Sequence, residues 1–297
     1  MLSKSSWLHL RIPFSYFLMP VYFFALAVSP NISERGILWT FIIVHLFLYP
    51  ASNGYNSYFD KDEKSIGGLK NPPPVNKSLF YLAWLFDVLA IALALWKINI
   101  TFAVMLFVYG MVSKAYSHPL VRLKKYPYIS WFIAGLFQGA FTFVMCYIGI
   151  NKYDISLVFK PTVLIPAILT SAMLWGNYPM TQIYQHEEDA KRGDITLSLK
   201  LGIRGTFWFV LFAFGAAIVG FFFYFINYYN IDFAIAMQFA LAPVVVYFLV
   251  WFYLVRKDEK YANYSYTMWL NFISATCLTI FFIYLFIKST NIIEAFQ

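Results

Sequence analysis

Two short stretches carry the residues best suited to chemistry. In ASNGYNSYFDKDEKSIGG (51–68), Asn56 and Asp60 stand four residues apart; in QIYQHEEDAKRGDITLSLKLG (182–202), Gln185 and Asp189 do the same. On a helix that spacing puts an amide and a carboxylate on one face, a turn apart. Their oxygens can share a hard cation. Asp62 and Glu63 add oxygens beyond the first pair, and Glu188 and Asp194 beside the second, while Gly67, Gly68 and Gly193 release each helix into a loop. Mg²⁺ suits such a set: it keeps waters, takes one or two carboxylates and completes its shell with substrate phosphate. Arg122, Lys124, Lys125, Lys191 and Arg192 lie near enough in the chain to clamp phosphate oxygens. A phosphorylated head at a membrane surface with a greasy tail in the bundle describes an isoprenyl diphosphate. Metal and cations would stabilise the departing diphosphate, and aromatic faces could shield the allylic cation left behind.

The elements that must position these residues are membrane spans. Of 297 residues 61% are hydrophobic and 12% charged, about half the charge of a soluble domain. Apolar runs near 13–30, 36–54, 79–96, 98–116, 128–149, 161–184, 205–227, 233–254 and 266–287 each approach the length needed to cross a hydrocarbon core. The expectation is an all-α polytopic membrane protein, nine transmembrane helices in a single bundle around a central cavity, with residues 1–297 forming one domain. Ala25-Leu26-Ala27 resembles a cleavage site, but a long apolar stretch with eight spans after it reads as a retained helix. With the N-terminus inside, only Arg35, Lys97, Lys152, Lys160 and Lys288 of the 22 lysines and arginines fall outside, so the N-terminus and both motif loops are expected in the cytoplasm, with the chain in a bacterial inner membrane. The two acidic loops follow spans 2 and 6, a four-helix unit apart on one face, with no sequence repeat beneath them. The net charge of +8 reports topology, and no basic stripe interleaved with aromatics suggests nucleic acid. Cys146 and Cys277 each lie alone in apolar runs and read as packing residues. Asp87 sits inside span 3 and is expected to face the bundle interior; His186 is a candidate phosphate contact or local partner, and Asn177 and Gln182 extend a polar wall.

These motifs resemble the UbiA superfamily of intramembrane prenyltransferases along nearly the whole chain. Asn56 and Asp60 match the first two positions of the family's N-x-x-x-D-x-x-x-D motif after helix 2. Asp189, Gly193, Thr196-Leu197 and Leu201-Gly202 keep the register of its second motif after helix 6. Tyr116-Ser117-His118-Pro119 with Arg122 and Lys125 resembles the loop after helix 4, and Arg11-Ile12-Pro13 the arginine at the start of helix 1. Lys64 stands where the family's first motif has its last Asp, Gln185 where the second has its first, and Asn71-Pro72 where Arg-Pro is usual. The resemblance implies a Mg²⁺-dependent enzyme moving a prenyl group from an isoprenyl diphosphate to a hydrophobic acceptor in the lipid bilayer. It implies catalytic Asn56, Asp60 and Asp189, and a metal held by Asn56, Asp60, Asp62, Glu188 and Asp189. Substrate contacts are expected from Arg11, Asn53, Lys64, Tyr116, Ser117, Arg122, Lys125, Gln185, Lys191 and Arg192. The altered motifs keep two alternatives open: a terpene cyclase of the same fold, and a non-catalytic membrane protein such as a transporter. Against a transporter, the polar residues gather at one face rather than at midplane.

Overall fold

The computed structural model describes residues 3–290, which are helical almost throughout, with one isolated bridge between Ile66 and Leu69. Among the described residues eight helices are long and apolar enough to cross a membrane: α1 (Lys4–Ala27), α2 (Glu34–Asp60), α3 (Ser78–Lys97), α4 (Ile100–Ser117), α5 (Pro127–Asn151), then, beyond α6, α7 (Leu197–Tyr228), α8 (Ile231–Lys257) and α9 (Tyr264–Ser289). The sixth expected span is α6, Pro161–Asn177, 17 residues long and about 25 Å at a helical rise. It stops before reaching the second motif. Pro179 follows in a 3₁₀ turn, Tyr178–Gln182, and the motif occupies a separate short helix, His186–Arg192. Span 6 was expected to run continuously to 184, but a proline cannot donate to the helical ladder.

Consecutive helices are neighbours, and α9 closes back onto α1. Phe24, Phe143, Phe221, Phe225 and Phe282 are buried inside. Outward faces expose Trp96, Phe212 and Phe239; a surface this apolar belongs against lipid rather than water.

Three backbone irregularities shape the interior. In α1, Arg11 adopts the left-handed conformation (φ 49°) and a 3₁₀ stretch, Ile12–Leu18, follows. In α2, a π-turn over Ile43–Leu48 directly precedes Pro50, whose ring would otherwise collide with a carbonyl one turn back. In α5, the π-turn Phe137–Phe141 frees backbone groups that α6 satisfies. Ser171 Oγ accepts from Ala140 N at 2.8 Å and donates to the Gly135 carbonyl at 2.9 Å. That approach requires Gly139, because a Cβ there would lie 2.6 Å from Ser171 Cα.

Candidate active site

The helix of the first motif does continue to Asp60, so Asn56 and Asp60 share a face. Lys61 then takes the left-handed conformation (φ 49°) and ends it. Gln185 flanks the start of the short helix, and its carbonyl accepts from Asp189 N at 2.9 Å. Gly193 (φ 74°) closes that helix where a side chain would be strained.

Both motifs open onto one cavity of about 290 Å³. Its lining includes Arg11, Asn53, Asn56, Asp60, Asp62, Tyr116, Ser117, Lys124, Gln185, Asp189 and Arg192. Asn177 and Gln182 line it as well. Asn56 Nδ2 donates to Ser117 Oγ at 2.9 Å, which leaves its oxygen for another partner. Tyr116 and Tyr178 share a hydroxyl hydrogen bond of 2.6 Å. Arg11 is buried, donating to the Gly67 carbonyl at 3.2 Å and the Asn53 carbonyl at 3.1 Å. Its Nε is buried without a partner among the described residues.

Charge is closely interleaved. Lys124 pairs with Asp60. Arg192 pairs with Asp62 and, at 2.7 Å, with Asp189. Asp194, buried behind them, takes Arg122 through two hydrogen bonds of 2.7 and 2.9 Å and Arg192 at 3.3 Å. Burial raises the carboxyl of Asp189 to about 7, with Asp194 and Asp62 adding repulsion that Arg192 and Lys124 offset in part. Asp62 is also raised, first by burial and then by Asp60. Asp194 is held low: burial opposes ionisation, and its bonds to Arg122 and the charge of Lys124 outweigh it.

Several expected contacts lie elsewhere. Lys64 and Lys191 both pair with the exposed Glu187, Lys191 at 2.9 Å, joining the two motif loops outside the cavity. Arg122 is tied to Asp194 rather than free to clamp phosphate. Lys125 is exposed and lies over Tyr126, because Arg122 (φ 45°) and a 3₁₀ turn after it send Lys124 inward instead. Glu188 does not line the cavity and sits 3.8 Å from Arg192. His186 bonds to Ser198 Oγ at 2.7 Å, a local partnership. Asp87 faces inward as expected and pairs with Lys114, a residue of α4 rather than of a loop. Residues that had drawn no attention in the sequence also reach the cavity: Tyr49, Tyr109, Gln138 and Asn271. A lone polar side chain in an apolar span is the signal that marks Gln138 and Asn271.

Among the described residues no three acidic, histidine or cysteine side chains converge in a metal-holding group. The hard oxygens of Asn56, Asp60, Asp62 and Asp189 nonetheless line one cavity. That suits an ion needing only one or two carboxylates and completing its shell with water and phosphate.

A helical membrane bundle enclosing a cavity with an acidic and cationic rim defines a class of intramembrane site for charged head groups. Residues 17–273 match the model of the UbiA prenyltransferase family, and the chain belongs to that family. Its fold is similar to that of a UbiA homolog from Archaeoglobus fulgidus bound to GPP and Mg²⁺, with a TM-score of 0.66 at 16% identity over 95% of this chain and 99% of that one. A UbiA homolog from Aeropyrum pernix K1 gives 0.67 at 16% identity, covering 91% and 98%. A digeranylgeranylglyceryl phosphate synthase gives 0.60 at 20% identity, covering 96% and 98%. Among curated proteins none matches the sequence significantly.

Proposed function

We propose that the whole chain acts as one Mg²⁺-dependent prenyltransferase, taking an isoprenyl diphosphate and a hydrophobic acceptor from a bacterial inner membrane, with its motif face in the cytoplasm. The observation that carries this reading is the cavity rim. The buried, partnerless Nε of Arg11, together with Lys124 and Arg192 and an oxygen donor set on the same wall, offers a diphosphate the ligands it needs. The similar archaeal protein bound to GPP and Mg²⁺ supports the same choice of ligands.

Asn56, Asp60, Asp62 and Asp189 would hold the metal, which when bound supplies Lewis-acid stabilisation of the leaving diphosphate. Arg11 holds the diphosphate by hydrogen bonds its carbonyl partners do not exhaust. Lys124 and Arg192 exchange part of their pairing with carboxylates for the substrate's oxygens. The bond between C1 of the prenyl group and the diphosphate oxygen breaks, its electron pair leaving with the oxygen. Phe14, Phe17, Tyr49 and Phe137 line the cavity and present faces to the developing allylic cation. The acceptor's nucleophilic atom then bonds to C1, and its proton departs to a diphosphate oxygen.

Purified protein incubated with Mg²⁺ and farnesyl or geranylgeranyl diphosphate tests the reading through diphosphate release, with and without membrane lipid extract. Release that requires extract supports transfer. Release without extract, yielding a cyclic hydrocarbon, would make the chain a cyclase. No release with any donor would remove both enzymatic readings.

A further inference from the structure

The cavity that carries the charged residues is also lined by neutral polar side chains. Gln138 on the α5 π-turn, Asn177 at the end of α6 and Asn271 on α9 line it, and none of their side-chain amides has a hydrogen-bond partner among the described residues. Asn271 is only 6% exposed. Asn177 and Asn271 also border a smaller apolar cavity of about 70 Å³ between α1, α6, α7 and α9. Ser274, one turn beyond Asn271, faces that second cavity, again with no partner among the described residues. Among the described residues neither a cation nor a carboxylate lines the smaller cavity.

Asn271 is buried, while Gln138 and Asn177 are half-buried and open to the cavity; polar side chains left without protein partners inside a bilayer are rare and costly. The donor does not explain these. Its diphosphate belongs with the cations at the rim, and its tail is hydrocarbon with no use for an amide. A second substrate does explain them. Amides both donate and accept, so they match a hydroxyl or carbonyl. A carboxylate or phosphate placed in the smaller cavity would lose its hydration and meet no positive charge in the described lining.

We infer that Asn177 and Asn271, with Gln138, form the acceptor subsite, and that the acceptor is an uncharged, membrane-resident molecule bearing a hydroxyl or carbonyl group. The inference rests on the prenyltransferase reading and narrows its acceptor. Asn177 and Asn271 line both cavities, so hydrocarbon attached to the recognised oxygen has space in the smaller, apolar one.

The test uses the full-length protein in lipid nanodiscs with Mg²⁺ and geranylgeranyl diphosphate. Four acceptors are compared: monooleoylglycerol and an alkylhydroquinone, both neutral, against oleoyl lysophosphatidic acid, which keeps a free glycerol hydroxyl, and an alkyl-substituted hydroxybenzoate, both anionic. Transfer to a neutral acceptor is expected with kcat/KM at least about tenfold above its anionic counterpart, the scale of one well-made hydrogen bond to a neutral group set against an unpaired charge. Asn271→Leu is expected to raise the acceptor KM about tenfold while leaving the KM for the donor, and binding of a thio-diphosphate donor analogue, unchanged. Analogue binding also reports that the variant is folded; if Asn271→Leu does not fold, Asn177→Leu is read the same way. Equal or better use of the anionic acceptors overturns the inference, as does an unchanged acceptor KM in the variant. Diphosphate release without transfer to any of the four overturns it while leaving the donor site standing. No release at all overturns the prenyltransferase reading with it.

Discussion

Asp189 is a carboxylate that burial has brought close to neutrality at physiological pH. Its ordinary value of 3.8 is raised to about 7, so the metal-free folded protein holds a proton that the unfolded chain has already released between those values. Stability from this group is therefore present at low pH and lost as pH rises from about 4 towards about 7. Asp62, raised for the same reason, acts with the same sign; Asp194, held low, acts only in more acid solution. The melting temperature of metal-free protein should fall across that window, and Asp189→Asn should flatten the fall. A metal competes with the same proton, so Mg²⁺ affinity measured by calorimetry in the presence of a diphosphate analogue should rise over the same pH range. A flat profile for both quantities would remove Asp189 from the metal site. Asp60→Asn and Asp189→Asn should each lower turnover by about a hundredfold or more, as loss of a group that stabilises developing charge does, with protein yield in the membrane unchanged. Much of this site was legible in the sequence because helical spacing alone places Asn56 with Asp60. The choice of Lys124 over Lys125 was not, since a left-handed residue at Arg122 decides it. Gln138 and Asn271 carry a weaker signal: each is a lone amide in an apolar run, with no spacing partner to tie it to the motifs.

Elements explain why those residues meet. The spans themselves follow from hydropathy: eight of the nine expected runs overlap helices long and apolar enough to cross a membrane among the described residues, and the sixth is shorter than expected. What hydropathy does not encode is the interruption: an apolar run reads the same whether it is α-helical, π or 3₁₀. The early end of α6 and the π-turns of α2 and α5 come instead from prolines and from close packing. Ser171 shows the consequence. Substituting alanine leaves the Ala140 N–H and the Gly135 carbonyl without their partner, which should cost about 1–3 kcal/mol and appear as a lower melting temperature with the donor KM little changed. The Asp87–Lys114 pair joins α3 to α4, buried on both sides, with Lys114 Nζ also 4.4 Å from the Trp84 ring centroid. Removing one partner strands the other charge, so Asp87→Leu should destabilise by about 3–5 kcal/mol. The double variant Asp87→Leu/Lys114→Leu should recover most of that loss. If the double variant melts as low as the single one, the pair is not what links these helices.

At the scale of the molecule, the proposed orientation places the motif face of the bundle in the cytoplasm. Both motif loops, the basic loop after α4 and the cations of the cavity rim lie at one end of the bundle, and the positive charges concentrate there. Lysine and arginine determine orientation far more than acidic residues do, so an acidic position in each face's loops can be changed without disturbing topology. Glu63, beside the first motif, and Asp154, between α5 and α6, are both exposed. In a background where Cys146 and Cys277 are replaced by alanine, Glu63→Cys and Asp154→Cys each supply a single accessible thiol. In intact bacterial cells a membrane-impermeant maleimide should label the Asp154→Cys protein alone, and the Glu63→Cys protein only after the inner membrane is permeabilised. The reverse pattern would place the cavity mouth outside the cell. It would also separate the site from a cytoplasmic supply of isoprenyl diphosphate, whose charged head does not cross the bilayer unaided, and the donor would then have to be one already exposed on the outer face.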